Sequence, residues 1–552
     1  MRHVLSIKRL AWAALFLLPL LFLVLFFFYP LANIIATSIT VDAIAGLFGS
    51  GYYLGVLWFT TWQALLSTAL TLLLGLPAAF LFARYEFRGR GILRALTTVP
   101  FVMPTVVVAA AFRALLGPGG PLNQGLMTVF HLAEAPVRLQ QTLAIILLAH
   151  IFYNVTIVVR LVGGFWASLS PRLVEAARVL GAPPLRAFWQ VTLPLLRPAL
   201  IASTLLIFLF TFTSFGVILL LGGPAFSTLE TEIYRQYVTF LRPDVAAVLA
   251  LLQILFTFAL MSLYARWQQR SAVALDFRPE RTTRRAPRSR AERMLVAAMA
   301  VLLVAFEVVP LLALVWQSFS ARAGGLTLAY YRALPTLQRG SVTFIPPLLA
   351  IRNSVGYALL TVLVAGSLGM VSAVLLTRSG ALRSWLDPVF MLPLGASAVT
   401  LGFGYVITFD ALRTSPLLVL IAHVLVALPF VVRTVLPVLQ GIKPNLREAA
   451  ALLGASPTRV WREVDLPIVG RALLVASVFA FTVSMGEFGA TSFIMRPNSG
   501  YLTMPIAIAR YLGTPGALNF GQALAMSTLL MAVTAVGFIA IERFRFADVG
   551  EF

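Results

Sequence analysis

The chain contains no cysteine and only two lysines, Lys8 and Lys443, and acidic residues are scarce, with 20 Asp and Glu in 552 positions. Without cysteine there are no disulfides, thiolate metal sites or thiol nucleophiles, and the redox compartment is left open. A phosphate-cradling P-loop requires Gly-x-x-x-x-Gly-Lys-Ser/Thr. Lys8 precedes Arg9 and Lys443 precedes Pro444, so neither lysine serves one. Four histidines without cysteine give no convincing metal cluster, and no loop is large enough for a catalytic domain. Charge of any kind is sparse, at 11% of residues. Apolar residues take its place: 60% of the chain is hydrophobic and the mean hydropathy is +0.92, far beyond soluble domains.

In hydrocarbon the backbone must satisfy its own hydrogen bonds, which restricts a spanning chain to helices or a closed barrel. Apolar runs such as Leu15–Ile35 and Met294–Val315 have the length of a spanning helix, about twice that of a barrel strand. The chain is therefore expected to be all-α, with twelve spans at about 11–36, 55–83, 96–116, 141–168, 198–222, 245–265, 294–318, 353–377, 386–408, 415–439, 472–495 and 519–541. An even number places both termini on one side. With that side cytoplasmic, 31 of the 42 Lys and Arg are cytoplasmic, as the positive-inside rule requires. The net charge of +22 thus reflects membrane topology rather than nucleic-acid binding. The first run lacks a clear small-residue cleavage site before Tyr29-Pro30, so a retained helix is expected rather than a signal peptide. Residues 269–292, rich in arginine and poor in apolar side chains, read as a cytoplasmic linker, a solvated connector rather than a regulatory element.

The two sides of that linker repeat each other. At an offset of 273, Ala149-His150 matches Ala422-His423, Val158-Val159-Arg160 matches Val431-Val432-Arg433, and Leu193-Pro194 matches Leu466-Pro467. Upstream the offset becomes 289, pairing Phe101-Val-Met-Pro104 with Phe390-Met-Leu-Pro393, which gives the first half sixteen extra residues near Gly117–Arg138. The expected organisation is a first half over 1–268, with its core at about 55–266, the linker, and a second half over 293–552, with its core at about 353–543. Six spans per half make this a parallel duplication, related by an axis along the membrane normal.

The strongest match lies in the loop after the fourth span of each half. The segments begin Pro171-Arg-Leu-Val-Glu175-Ala176-Ala177 and Pro444-Asn-Leu-Arg-Glu448-Ala449-Ala450, reach Gly181 and Gly454, and end at Leu-Pro. Each reads as helix, break, helix: proline opens the first turn, glutamate in that turn complements the dipole, and glycine supplies a left-handed C-terminal position. This pattern resembles the signature loop of type I ABC importer permeases. The resemblance implies that Glu175, Ala176, Ala177, Gly181, Glu448, Ala449, Ala450 and Gly454 contact two cytoplasmic ATPase subunits. It further implies that ATP and Mg are bound by those partners, and that an extracytoplasmic solute-binding protein delivers the solute. The location implied is the bacterial inner membrane.

Polar groups at membrane depth are candidates for the pathway or gate. His150 and His423 are equivalent, and each is open to a gate or substrate role or to interhelical packing. Arg160 and Arg433 are placed near the cytoplasmic interface, where such side chains snorkel. Glu487 stands where the first half has Ser214 and so breaks the repeat symmetry, while Phe215 and Phe488, which match between the repeats, are candidates beside them. Glu307 is ambiguous in the same way. The run Phe212–Pro224, followed by Thr228-Leu-Glu230, resembles the fused permeases of thiamine and ferric-iron importers, with thiamine slightly favoured. The alternative from another class is a secondary transporter of the major-facilitator type, which also has two parallel six-span halves.

Overall fold

The computed structural model describes residues 15–38, 40–270, 283–321, 324–337, 341–413, 415–495 and 499–544. Residues 11–14 of the first predicted span, 271–282 of the predicted linker and both chain ends lie outside them. The first repeat comprises α1 (Leu15–Ala36), α2 (Val41–Gly49), α3 (Gly51–Arg84), α4 (Arg90–Val102), α5 (Thr105–Leu116) and α6 (Pro121–Phe130). It continues through α7 (Leu143–Ser168), α8 (Arg172–Val179), α9 (Pro184–Phe212), α10 (216–222), α11 (229–239) and α12 (Pro243–Arg270). The second comprises α13 (Arg290–Ser318), α14 (Ala329–Arg332), α15 (Pro347–Arg378), α16 (Arg383–Gly395), α17 (Ala398–Thr408) and α18 (Pro416–Gly441). After these come α19 (Pro444–Leu452), α20 (457–486), α21 (Gly489–Ile494), α22 (Met504–Gly513) and α23 (Ala517–Phe544). Among the described residues, eleven helices are long and apolar enough to cross a bilayer, or twelve if α16 and α17, bent by 93° at their junction, form one span. The chain is an all-α, multi-pass membrane protein, and among the described residues β-structure is limited to two isolated bridges.

Four of the predicted spans are interrupted. The first repeat's third span breaks at Met103, which is extended because it precedes Pro104. Its counterpart breaks at Ser397, whose side chain accepts from the amides of Val399 and Thr400 at the start of α17. The fifth span, expected over 198–222, begins at Pro184, stops at Phe212 and resumes as α10. Its counterpart, expected over 472–495, begins at Pro457 and breaks at Glu487 and Phe488 before α21. These breaks sit inside apolar sequence, so hydropathy runs through them.

The upstream register also differs from 289. Arg160 Nε donates to Thr98 Oγ1 at 3.1 Å, and Arg433 Nε points to Met391 Sδ at 3.0 Å, an offset of 293 between the partners. The starts of α5 and α17, Thr105 and Ala398, share that offset. Pro104 stands at the helix break whereas Pro393 lies inside α16, so the Phe-x-x-Pro match joins unlike positions. The four-residue error is about one helical turn, which preserves the apolar pattern. The first repeat's extra segment is thus about twenty residues, the difference between 293 and 273, rather than sixteen.

Two compact packing units are present, and each takes its first span from the other repeat. In the unit built on Phe48–Glu232 and Leu252–Leu326, α13 packs on α4 and α5. Val296 and Leu303 of α13 join Ala78, Leu81, Leu93, Ile151 and Val155 in one buried cluster. The unit containing Thr327–Gly550 includes α1, which packs on α17, with Asn33 Nδ2 donating to Thr408 Oγ1 at 3.1 Å. It also includes 233–251, where the Tyr234 and Phe493 rings meet edge-on at 5.3 Å.

Within each unit the second and fourth spans cross at a glycine. A Cβ on Gly75 would lie 2.7 Å from Val158 Cβ, and one on Gly369 would lie 2.4 Å from Val431 Cγ1. No larger residue fits there without displacing the partner helix.

Candidate functional site

The glutamate–alanine segments fold as two short exposed helices with the same ending. In α8 the amide of Ala182 donates to Ala177 O and that of Gly181 to Arg178 O, both at 3.0 Å. In α19 the amide of Ala455 donates to Ala450 O at 3.0 Å and that of Gly454 to Ala451 O at 2.9 Å. These are paired Schellman closures, and they need a left-handed residue. Gly181 and Gly454 supply it, with φ of +88° and +81°.

Glu175 lies in the first turn of α8 and can complement its dipole. Because α19 begins at Pro444, Glu448 falls in its second turn rather than its first, beyond the reach of that effect. Glu175, Ala176, Glu448 and Ala449 are exposed, and Ala177 and Ala450 are half-buried against their own hairpins. The helices end in apolar side chains given to solvent: Val179 and Leu180 are each 88% exposed, and Leu452 and Leu453 each 89%. Leucines so exposed recur at the same place in the two halves, Leu180 and Leu453. These leucines were not singled out in the sequence, where apolar residues are everywhere.

The two histidines are buried, each at the centre of a hydrogen-bonded bridge across spans of its own unit. His150 Nδ1 lies 2.9 Å from Ser67 Oγ of α3, and its Nε2 lies 2.9 Å from Ser214 Oγ, in the break after α9. His423 Nδ1 lies 2.7 Å from Ser484 Oγ of α20, and its Nε2 lies 3.1 Å from Thr491 Oγ1, in the segment after the corresponding break. Ser484 extends the bridge to Thr361 Oγ1 of α15 at 3.3 Å.

Glu487 caps the break in the second repeat. Its carboxylate accepts from the amides of Ala490 at 2.8 Å and Thr491 at 3.0 Å, and from the Thr491 hydroxyl. Thr491 Oγ1 thus links the Glu487 carboxylate to His423 Nε2. Glu487 Oε2 is 3.6 Å from His423 Nε2. The structure therefore brings His150 together with Ser214, and His423 with Glu487. Phe215 and Phe488, directly after Ser214 and Glu487, are buried at 6% and 5% exposure. Ser214 was named from the sequence, whereas Ser67, Thr361, Ser484 and Thr491 were missed because their contacts cross between helices. Glu307 is buried in α13, and neither of its carboxylate oxygens has a hydrogen-bond partner among the described residues. No group of three or more His, Asp or Glu is placed to hold a metal ion among the described residues.

A family model described as "Binding-protein-dependent transport system inner membrane component" matches twice, over residues 71–273 and 365–545. A probable ABC transporter permease protein of Sinorhizobium fredii is 27% identical, covering 91% of this chain and 90% of its own. The thiamine transport system permease protein ThiP of Brucella abortus is 26% identical, over 87% of this chain and 86% of its own. A putative 2-aminoethylphosphonate transport system permease protein, PhnU, of Salmonella typhi is 30% identical over 49% of this chain and 94% of its own.

Proposed function

We propose, on the premise that this chain belongs to the family of binding-protein-dependent transport system inner membrane components, that α8 and α19 dock two separate ATPase subunits and that the solute carried is of the thiamine type. The chain is a transport permease of an ABC importer for a small solute. Membership replaces the major-facilitator alternative. ATP and Mg bind in the partner subunits, and an extracytoplasmic binding protein presents the solute. Both chain ends lie on the ATPase side, the side that the arginine bias makes cytoplasmic.

One observation carries the docking assignment: two exposed helices, closed by glycines at φ of +88° and +81°, end in exposed leucines at matching places in the repeats. Such a helix offers an alanine face that admits a partner backbone, and an apolar tip that loses water on binding. Thiamine is favoured because the thiamine permease matches along both repeats, whereas the aminoethylphosphonate permease matches half of the chain.

Docking is tested by co-purifying the permease with its ATPase before and after Leu180→Asp and Leu453→Asp. Loss of the ATPase from folded permease is expected; full retention overturns the assignment. Uptake is expected to survive a proton-gradient uncoupler and to stop without the ATPase. The solute is read by calorimetric titration of the cognate binding protein with thiamine and with chelated ferric iron. Tight thiamine binding is expected, and tight iron binding with no thiamine binding would replace the substrate reading.

A further inference from the structure

The last part of the arginine-rich segment between the repeats is not a free connector. Thr283, 6% exposed, donates through Oγ1 to the carbonyl of Ala167 at 2.5 Å, at the end of α7 and directly before the hairpin of α8. A main-chain bridge follows: Glu86 N donates to Arg285 O at 3.0 Å, and Arg285 N donates to Arg84 O at 3.1 Å. The Arg285 guanidinium lies 5.3 Å from the centre of the Tyr85 ring. The same group binds Glu292 with both forks, at 3.0 and 2.5 Å. Glu292 in turn accepts from the Arg288 amide at 2.7 Å and completes a capping box with Ser289 at the start of α13.

A connector that only spans a gap needs length, not these partners. Here the carbonyl of Ala167, left without an intrahelical donor at a helix end, is given one. A two-way backbone bridge fixes the register of 284–286 against 84–86, and a bidentate, stacked arginine is the most geometrically exacting contact available to it. Three elements of one packing unit are joined: the end of α3, the end of α7 and the beginning of α13.

We propose that residues 283–292 form a positioning strap, through which the second repeat's first span sets the placement of the first repeat's docking helix, α8. This rests on the reading of α8 as an ATPase-docking helix only for its functional consequence; the geometric part stands without it. Thr283 and Arg285 are its positioning residues. When the strap is released, α8 keeps its own Schellman closure but loses its fixed distance from α13.

The absence of cysteine makes this directly measurable. Spin labels on Arg172→Cys and Ala291→Cys, both exposed positions outside the proposed docking contact, report the distance between α8 and the start of α13 by pulsed electron resonance on the complete transporter in lipid. Labels on Ser384→Cys and Asn445→Cys, also exposed, report a pair of helices in the other unit that the strap does not touch. In a Thr283→Val, Arg285→Ala background, the first distribution is expected to broaden at least twofold while the second is unchanged. Thr283→Ser should preserve the narrow distribution. Thr283→Val and Arg285→Lys singly, each a smaller loss, keep the test open should the double variant not fold. An unchanged first distribution in folded variants overturns the strap. Solute moved per ATP hydrolysed is measured on the same samples, and a severalfold fall is expected. Broadening without that fall upholds the strap and rejects the docking role of α8.

Discussion

Arg447 donates through Nε to Asp465 Oδ1 at 2.7 Å, tying α19 to the foot of α20. The Asp465 side chain is 9% exposed and that of Arg447 35%. At the equivalent positions the first repeat has Val174 and Thr192, so α19 is anchored by an ion pair where α8 has none at those positions. Removing one partner leaves a nearly buried carboxylate uncompensated, a cost reduced here because the arginine is partly in water. Arg447→Ala should therefore destabilise by about 1–2 kcal/mol. Replacing both residues by the first repeat's pair, Arg447→Val with Asp465→Thr, should recover most of that loss. Thermal unfolding of the purified permease reads both, and a single variant as stable as the parent would show that the pair contributes nothing.

Glu487 and His423 meet through Thr491, and this decides what replacing the glutamate does. A glutamine keeps one acceptor oxygen but turns an NH₂ group toward the amides and hydroxyl that both carboxylate oxygens now accept from. Glu487→Gln should lower stability by about 1–3 kcal/mol, the cost of a buried hydrogen-bonding group left unmatched. Because the carboxylate is committed to capping, the half-saturating solute concentration for uptake should stay within twofold of the parent. A large shift in that concentration with unchanged unfolding would instead place Glu487 in the solute pathway.

Much of this arrangement was legible in the sequence. Span length, the twofold repeat and the glycine-closed helices each follow from a local rule, and Gly181 and Gly454 take the left-handed conformation read from their spacing. Packing partners follow from no such rule. Helix periodicity says which residues want burial and not against what, so nothing in Val296 or Leu303 announces that α13 completes the other repeat's core. The breaks at Ser397 and Glu487 depend on one side chain folding back on two amides, within runs whose hydropathy does not change. The contacts at the end of the arginine-rich segment were hidden for a related reason. Composition reports solvation, while the role of Arg285 is set by Tyr85 and Glu292, one of them distant in sequence.

Glycine is required at two kinds of position here, for different reasons, and the difference can be measured. At Gly181 and Gly454 a Cβ would meet nothing within 4 Å, so the penalty for a side chain is one of backbone conformation alone. Gly181→Asn and Gly454→Asn should be nearly neutral, because asparagine tolerates the left-handed region. The β-branched replacements Gly181→Val and Gly454→Val should cost at least 1–2 kcal/mol each, an order-of-magnitude figure for placing a Cβ-bearing residue there. Their strain falls on an exposed helix end, so it should appear mainly as loss of coupling between ATP hydrolysis and uptake, with little change in the unfolding temperature. Gly75 and Gly369 reverse the pattern. Their φ angles are ordinary for helices, but a methyl group collides with Val158 and Val431. Gly75→Ala and Gly369→Ala should thus lower the unfolding temperature, with an overpacking cost of about 1–3 kcal/mol. Trimming the opposing side chain, Val431→Ala in the same chain as Gly369→Ala, should restore part of that stability by removing the 2.4 Å contact with Val431 Cγ1. No such rescue is available to Gly181→Val. A rescue at Gly181 by trimming a neighbour would mean that contact, not backbone conformation, selects glycine at the end of α8.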